Sequence, residues 1–270
     1  MKITQVRHAT IIVEYIDKKF LIDPFLAERG TYGLCPFLEE REMDRHTKNI
    51  PQPRQQNPLV SLPMSIDKVI EGIDAVILTH LHLDHFDEVA QKILPKDIKM
   101  FVQNEEDAQE VRNVGFQNIE VLQDETKFEG IQLIKTQGKH GRGKKVLETT
   151  GLVCGVVFKH PIEKTLYVAG DTVWYEGIQQ EIHTHRPDII IVNGGDMQSC
   201  EAEGLTMGKE DIYEVYEVAL NATIIPVHMN ALANCVLSKE ELKRFIQEKG
   251  LSSQILVPED GESYTFRGKI

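Results

Sequence analysis

The feature that most constrains this chain is an apolar run at 75–78 followed by a stretch of six residues, 80–85, that contains His80, His82, Asp84 and His85. The run is rich in β-branched residues, which is typical of a buried strand. Alternate side chains of an extended chain point to one side, so His80 and His82 can reach a single ion. Imidazole and carboxylate are the usual ligands of zinc and similar divalent ions. Because histidine makes up only 10 of 270 residues, this density favours a metal site over a polar loop with accidental histidines. Asp84 and His85 lie beyond the strand, where they can serve a second ion.

A binuclear site needs further ligands, and three other residues end apolar runs in the same way. They are His140, Asp171 and His228. Each has an ordinary alternative role, respectively a flexible loop residue, a turn cap and a core histidine. His8, between two predicted strands, is a weaker candidate that either donates a hydrogen bond to a ligand or is structural.

Each half of the chain has a strand meander followed by β-α repeats. This order of elements predicts an α/β fold in which two sheets pack together with helices outside. No linker divides residues 1–270, so we expect a single domain. Residues 26–65 form a Pro-rich insertion without a sustained period, which suits a lid, a binding loop or a surface insertion. Strands are predicted at 149–158 and 255–257, among other places.

The net charge of −12 argues against nucleic acid as a partner. A nucleic-acid-binding protein needs clustered Lys and Arg, whereas the basic run here, 139–145, is short. It suits either a small anionic substrate group near Arg142 or simple solvation. No apolar stretch approaches the ~18 residues of a membrane span, and the start of the chain lacks the apolar core of a signal peptide. The four cysteines form no C-x-x-C pair, so we expect reduced thiols in the cytoplasm.

The spacing of these residues resembles the metallo-β-lactamase superfamily of binuclear hydrolases. It is most similar to the branch that contains ascorbate-6-phosphate lactonase and uncharacterised metal-dependent hydrolases. The resemblance implies a four-layer αββα sandwich with the site at the edge where the sheets meet. It also implies two sets of three ligands that share one carboxylate: His80, His82 and His140 for one ion, Asp84, His85 and His228 for the other, and Asp171 bridging both. Arg7 stands where these proteins commonly have glycine, and the 26–65 segment is longer than a minimal member needs.

The resulting hypothesis is a hydrolase with two divalent ions, zinc or manganese, acting on a small ester, lactone or phosphodiester. A hydroxide shared by ions about 3.5–4 Å apart would be the nucleophile, with Asp84 or Asp171 handling the proton. Two alternatives stay open, a di-iron redox protein of the same fold and a metal-binding protein without catalysis. A homo-oligomer is compatible with the apolar residues 32–37, which suit an interface or a lid.

Overall fold

The computed structural model describes residues 1–34, 56–199 and 204–269. Its strands, in chain order, are β1 Lys2–Arg7, β2 Thr10–Tyr15, β3 Lys18–Ile22, β4 Tyr32–Leu34, β5 Gln56–Asn57, β6 Ala75–Ile77, β7 Lys99–Val102, β8 Ile119–Val121, β9 Thr126–Phe128, β10 Ile131–Gln137, β11 Cys154–His160, β12 Glu163–Val168, β13 Ile189–Asn193, β14 Thr223–Val227 and β15 Ser263–Thr265. Its helices are α1 Ile66–Ile70, α2 Glu88–Ile93, α3 Glu105–Asn113, α4 Lys144–Thr150, α5 Glu176–His185, α6 Lys209–Val218 and α7 Lys239–Glu248.

Two large sheets organise these strands. The first has the order β15-β1-β2-β3-β6-β7-β8 and the second β14-β13-β12-β11-β10-β9, while β4 and β5 pair separately. In each large sheet an antiparallel meander continues into parallel strands: β3, β6, β7 and β8 are parallel in the first, and β12, β13 and β14 in the second. Parallel neighbours need crossover connections, and the intervening helices supply them.

Side-chain burial shows four layers. One core cluster, including Phe20 and Phe158, lies between the two sheets. A second cluster packs Val69, Ala90 and Val111 of α1 to α3 on the outer face of the first sheet. A third packs α5 to α7 on the outer face of the second. This arrangement confirms the predicted αββα sandwich.

The strand predicted at 149–158 is wrong at its start, because Thr149 and Thr150 end helix α4 instead. Their β-branched side chains favour strands by propensity, but here each hydroxyl donates to a carbonyl one turn earlier, Lys145 O at 3.1 Å and Val146 O at 3.0 Å. Gly151 then ends the helix at a φ of 76°. The strand predicted at 255–257 is reduced to a single bridge between Ile255 and Ile224.

Arg7 ties together the two ends of the predicted 26–65 insertion. Its fully buried guanidinium donates to Phe25 O at 2.8 Å, Ala27 O at 2.9 Å and Val60 O at 3.1 Å. Asp87 accepts from the backbone N–H of Ala27 at 2.6 Å and caps helix α2 through Ala90 N. Residues 35–55, which include most of the insertion and part of the apolar 32–37 stretch, lie outside the described residues.

Candidate metal centre

The predicted ligands come together at one edge of the sandwich. His80, His82, Asp84 and His85 follow β6, and the other three follow strands of the second sheet: His140 after β10, Asp171 after β12 and His228 after β14. Because the carboxyl ends of parallel strands lie at the same edge of a sheet, side chains distant in sequence converge there.

Three histidines form a first cluster: His80, His82 and His140, whose ligand atoms lie within 4.8 Å of one another. His140 donates from Nδ1 to Leu205 O at 2.9 Å, which directs its Nε2 into the cluster. His80 and His140 are buried and His82 is half-buried. Burial, followed by the nearby His85 and His82, holds the pKa of His80 well below its usual range, so this imidazole is neutral and able to bind a metal.

A second cluster contains Asp84, His85 and His228, together with His8. The Nε2 atoms of His85 and His228 lie 3.3 Å apart, and His228 Nε2 is 3.4 Å from Asp84 Oδ2. His85 donates from Nδ1 to Asp23 Oδ2 at 2.9 Å, which fixes its ring. All four members of this cluster are buried.

Asp171 lies between the two clusters. Its Oδ2 is 3.4 Å from the Nε2 atoms of His85 and His140, and its Oδ1 is 3.4 Å from His228 Nε2. Asn193 donates to Oδ1 at 2.5 Å. The Asp171 carboxylate therefore contacts histidines of both clusters.

Several buried polar atoms at the centre have no hydrogen-bond partner among the described residues: His80 Nε2, Asp84 Oδ1 and Asp171 Oδ2. Buried polar atoms are normally satisfied, since an unmade hydrogen bond costs roughly 1–3 kcal/mol. Nitrogen and carboxylate oxygen are the donors that zinc and manganese accept. The donor set therefore fits divalent metal ions.

The buried histidines and carboxylates of the centre shift one another's pKa values. Burial alone lowers the pKa of His85, but the carboxylates of Asp171, Asp23 and Asp84 outweigh burial and raise it to about 10. Burial would raise the pKa values of Asp84 and Asp171, yet the surrounding histidines hold both well below their usual range. Without metal, the carboxylates are ionised and His85 retains its proton.

Residues that the sequence prediction did not assign to the site support its ligands. Asp23 holds His85, Asn193 holds Asp171, and the thiol of Cys235 lies 3.7 Å from His228 Nδ1. Asp23 and Asn193 also end strands, β3 and β13. Applying the strand-end criterion to every Asp and Asn would have found both, whereas no local signal marks Cys235.

The αββα sandwich with this edge site defines a class of metal-dependent hydrolases, and comparison with known proteins agrees. The family model described as "Beta-lactamase superfamily domain" matches residues 18–229. The UPF0173 protein YddR of Bacillus subtilis (strain 168) is 62% identical over 266 residues, covering 98% of this chain and 100% of the relative.

Two solved structures are similar over nearly their whole length. The isothiocyanate hydrolase from Delia radicum gut bacteria has 38% identity and a TM-score of 0.89, covering 99% of this chain and 100% of that one. A possible metal-dependent hydrolase from Veillonella parvula DSM 2008 has 32% identity and a TM-score of 0.90, covering 98% and 99%.

The chain therefore belongs to the UPF0173 metal-dependent hydrolase family of the metallo-β-lactamase superfamily. The predicted superfamily is confirmed, while the narrower resemblance to the ascorbate-6-phosphate lactonase branch stays a prediction. No helix among the described residues is long and apolar enough to span a membrane.

Proposed function

We propose that this protein is a binuclear hydrolase that binds one ion at His80, His82 and His140 and another at Asp84, His85 and His228. The observation that carries the proposal is the position of Asp171, whose two oxygens lie 3.4 Å from nitrogens of both clusters. A site for one ion does not need two histidine clusters that both contact one carboxylate. Zinc or manganese suits the mixed nitrogen and oxygen donors.

Two ions held there would lower the pKa of a shared water toward ~7 and polarise the substrate oxygen. The chain's own residues would hold the ions in place and take up the proton that the water loses. Asp171 has one oxygen held by Asn193 and the other facing the histidines, so we assign it the bridging role. Asp84 Oδ2 accepts from His8 at 2.9 Å, whereas Oδ1 has no partner among the described residues. Asp84 or Asp171 would take up the proton of the attacking water.

The substrate class in this proposal is a small molecule with an electrophilic carbon or phosphorus, such as an ester, a lactone or a phosphodiester. The 38% identical isothiocyanate hydrolase suggests isothiocyanates, R–N=C=S, as a further candidate class. Water would add to the central carbon of such a substrate, and the products would be R–NH₂ and carbonyl sulfide. Arg142 already forms a bidentate pair with Asp211, at 2.6 and 2.7 Å. We therefore do not assign Arg142 to an anionic substrate group.

The test is to determine bound metal in the purified protein and then assay hydrolysis with Zn²⁺ or Mn²⁺ present. The substrates are a lactone, a carboxylic ester, a phosphodiester and an isothiocyanate. We expect activity on at least one, abolished in His82→Ala but retained in the matched control His183→Ala, an exposed histidine on α5. Bound metal with no hydrolysis of any of the four would contradict the proposal. Bound iron with oxygen consumption would favour the redox alternative.

A further inference from the structure

His8, a member of the second cluster, is held in an unusual backbone conformation. It lies between β1 and β2, is fully buried and has a φ of 56°, in the left-handed region that residues with a side chain rarely adopt. His228, a predicted ligand, has a φ of 67°. The backbone N–H of His228 donates to His8 O at 3.0 Å, and the side chain of Gln5 donates to the same oxygen at 2.9 Å. Such strain persists only where the surroundings enforce it, and it is concentrated at functional sites.

The imidazole of His8 contacts the same cluster. Its Nε2 is 2.9 Å from Asp84 Oδ2. Since a carboxylate oxygen is the acceptor, Nε2 carries the hydrogen and donates it. The ring also lies against the ring of His228, with centroids 3.5 Å apart and planes at 39°. One residue thus contacts two of the three predicted ligands of the second ion, through its backbone, its ring face and its Nε2–H.

We propose that His8 is a positioning residue for the second ion, an inference that rests on the binuclear function proposed above. It fixes the Asp84 carboxylate through Nε2–H and holds His228 through its carbonyl and its ring. Besides Gln5 and Phe25, His8 contacts Asp84 and His228, and its ring centroid lies 6.2 Å from that of His85. No hydrogen bond or ring contact found for His8 reaches a first-cluster histidine. Removing the imidazole should therefore weaken the second ion and leave the first in place.

Three variants separate positioning from other roles. His8→Phe keeps a ring against His228 and removes the donor. His8→Asn tolerates the left-handed backbone, but its amide is too short to reach Asp84. His8→Gln has an amide nitrogen the same number of bonds from Cβ as histidine Nε2, so it can restore the hydrogen bond.

The measurement is a calorimetric titration of the metal-free proteins with Zn²⁺, with the visible absorption of the Co²⁺ forms as a second readout. For wild type we expect two equivalents. In His8→Phe and His8→Asn we expect an unchanged first equivalent and a second bound about 10–100-fold more weakly, as for other residues that orient metal ligands. His8→Gln should recover most of the second affinity.

Different outcomes overturn different claims. Two equivalents at wild-type affinity in both His8→Phe and His8→Asn would overturn the positioning role. Equal weakening of both ions would do the same, because the effect would then be global. If His8→Gln binds the second ion no better than His8→Phe, the imidazole is a ligand or a structural residue, and the inference fails. A wild-type protein that binds a single ion instead overturns the binuclear function, and the role of His8 with it.

Discussion

Replacing Arg7 with methionine tests how the Pro-rich insertion is anchored. The guanidinium is fully buried and donates to Phe25 O, Ala27 O and Val60 O. Three hydrogen bonds from a charged donor, at about 1.5–3 kcal/mol each, amount to about 5–9 kcal/mol. Burying the charge offsets part of this, because burial lowers the pKa of Arg7 from its usual value to about 10, a change that corresponds to about 3 kcal/mol. Arg7→Met should therefore lose about 2–6 kcal/mol of unfolding free energy.

Urea unfolding of the metal-free protein measures this loss as a lower midpoint with an unchanged slope. The matched control is Arg112→Met on α3, where the arginine pairs with Glu105 at the surface. Exposed pairs contribute at most about 1 kcal/mol, so the control should unfold close to wild type. Arg7→Lys should resemble Arg7→Met, since a single ammonium cannot span three carbonyls. The reasoning is refuted if Arg7→Met unfolds within 0.5 kcal/mol, roughly the scatter of surface substitutions, of the control.

Three further predictions concern the metal centre. Asn193→Leu removes the amide that donates to Asp171 and should weaken metal binding about 10-fold; by calorimetry, an effect no larger than that of the exposed-site control Asn221→Leu would count against the role of Asn193. The pKa of His85 is raised to about 10 in the metal-free protein, so an ion must displace its proton at pH 7, and metal affinity should rise with pH toward about 10. Titrations in buffers of different ionisation enthalpy measure the released protons, and pH-independent affinity between 6 and 9 would contradict this prediction. An ion at 100 times its dissociation constant stabilises the folded protein by about 2.7 kcal/mol, so removing it with a chelator should lower the melting temperature by about 5–10 °C. Adding Zn²⁺ should restore the melting temperature, whereas Mg²⁺, which prefers oxygen ligands, should not.

The strand and helix patterns predicted two packed sheets with helices outside, and the family resemblance implied the αββα sandwich, because local patterns in most of the chain agree with the tertiary structure. Helices α3 and α7 are capped by Asn104 and Ser238, two residue types that favour helix starts, and both side chains accept a hydrogen bond from the backbone. Prediction failed at Thr149 and Thr150, where strand propensity conflicts with a helix that Gly151 ends. It also could not show the left-handed backbone of His8, because contacts with distant parts of the chain impose that conformation.

In the candidate site too, local sequence patterns identified the residues, whereas contacts with distant residues could not be predicted. His140, Asp171 and His228 were found as candidates from sequence alone because each ends an apolar run. They lie near residues 80–85 because the carboxyl ends of parallel strands share an edge of the sheet. Their orientation depends on partners far away in the chain, such as Leu205 O for His140 and Asn193 for Asp171. Hydrogen bonds across such sequence separations leave no periodic signal, so local pattern alone does not reveal them.

The metal centre depends on both sheets at once. Asp23, at the end of β3, accepts from Thr79 N, Thr79 Oγ1 and His85 Nδ1, which fixes the metal loop to the first sheet. Asn193, at the end of β13, holds Asp171 to the second sheet. His8 joins the two, because its imidazole donates to Asp84 and its carbonyl accepts from His228. An ion bound between these residues would stabilise the packing of one sheet on the other, so metal binding would be thermodynamically linked to the stability of the sandwich.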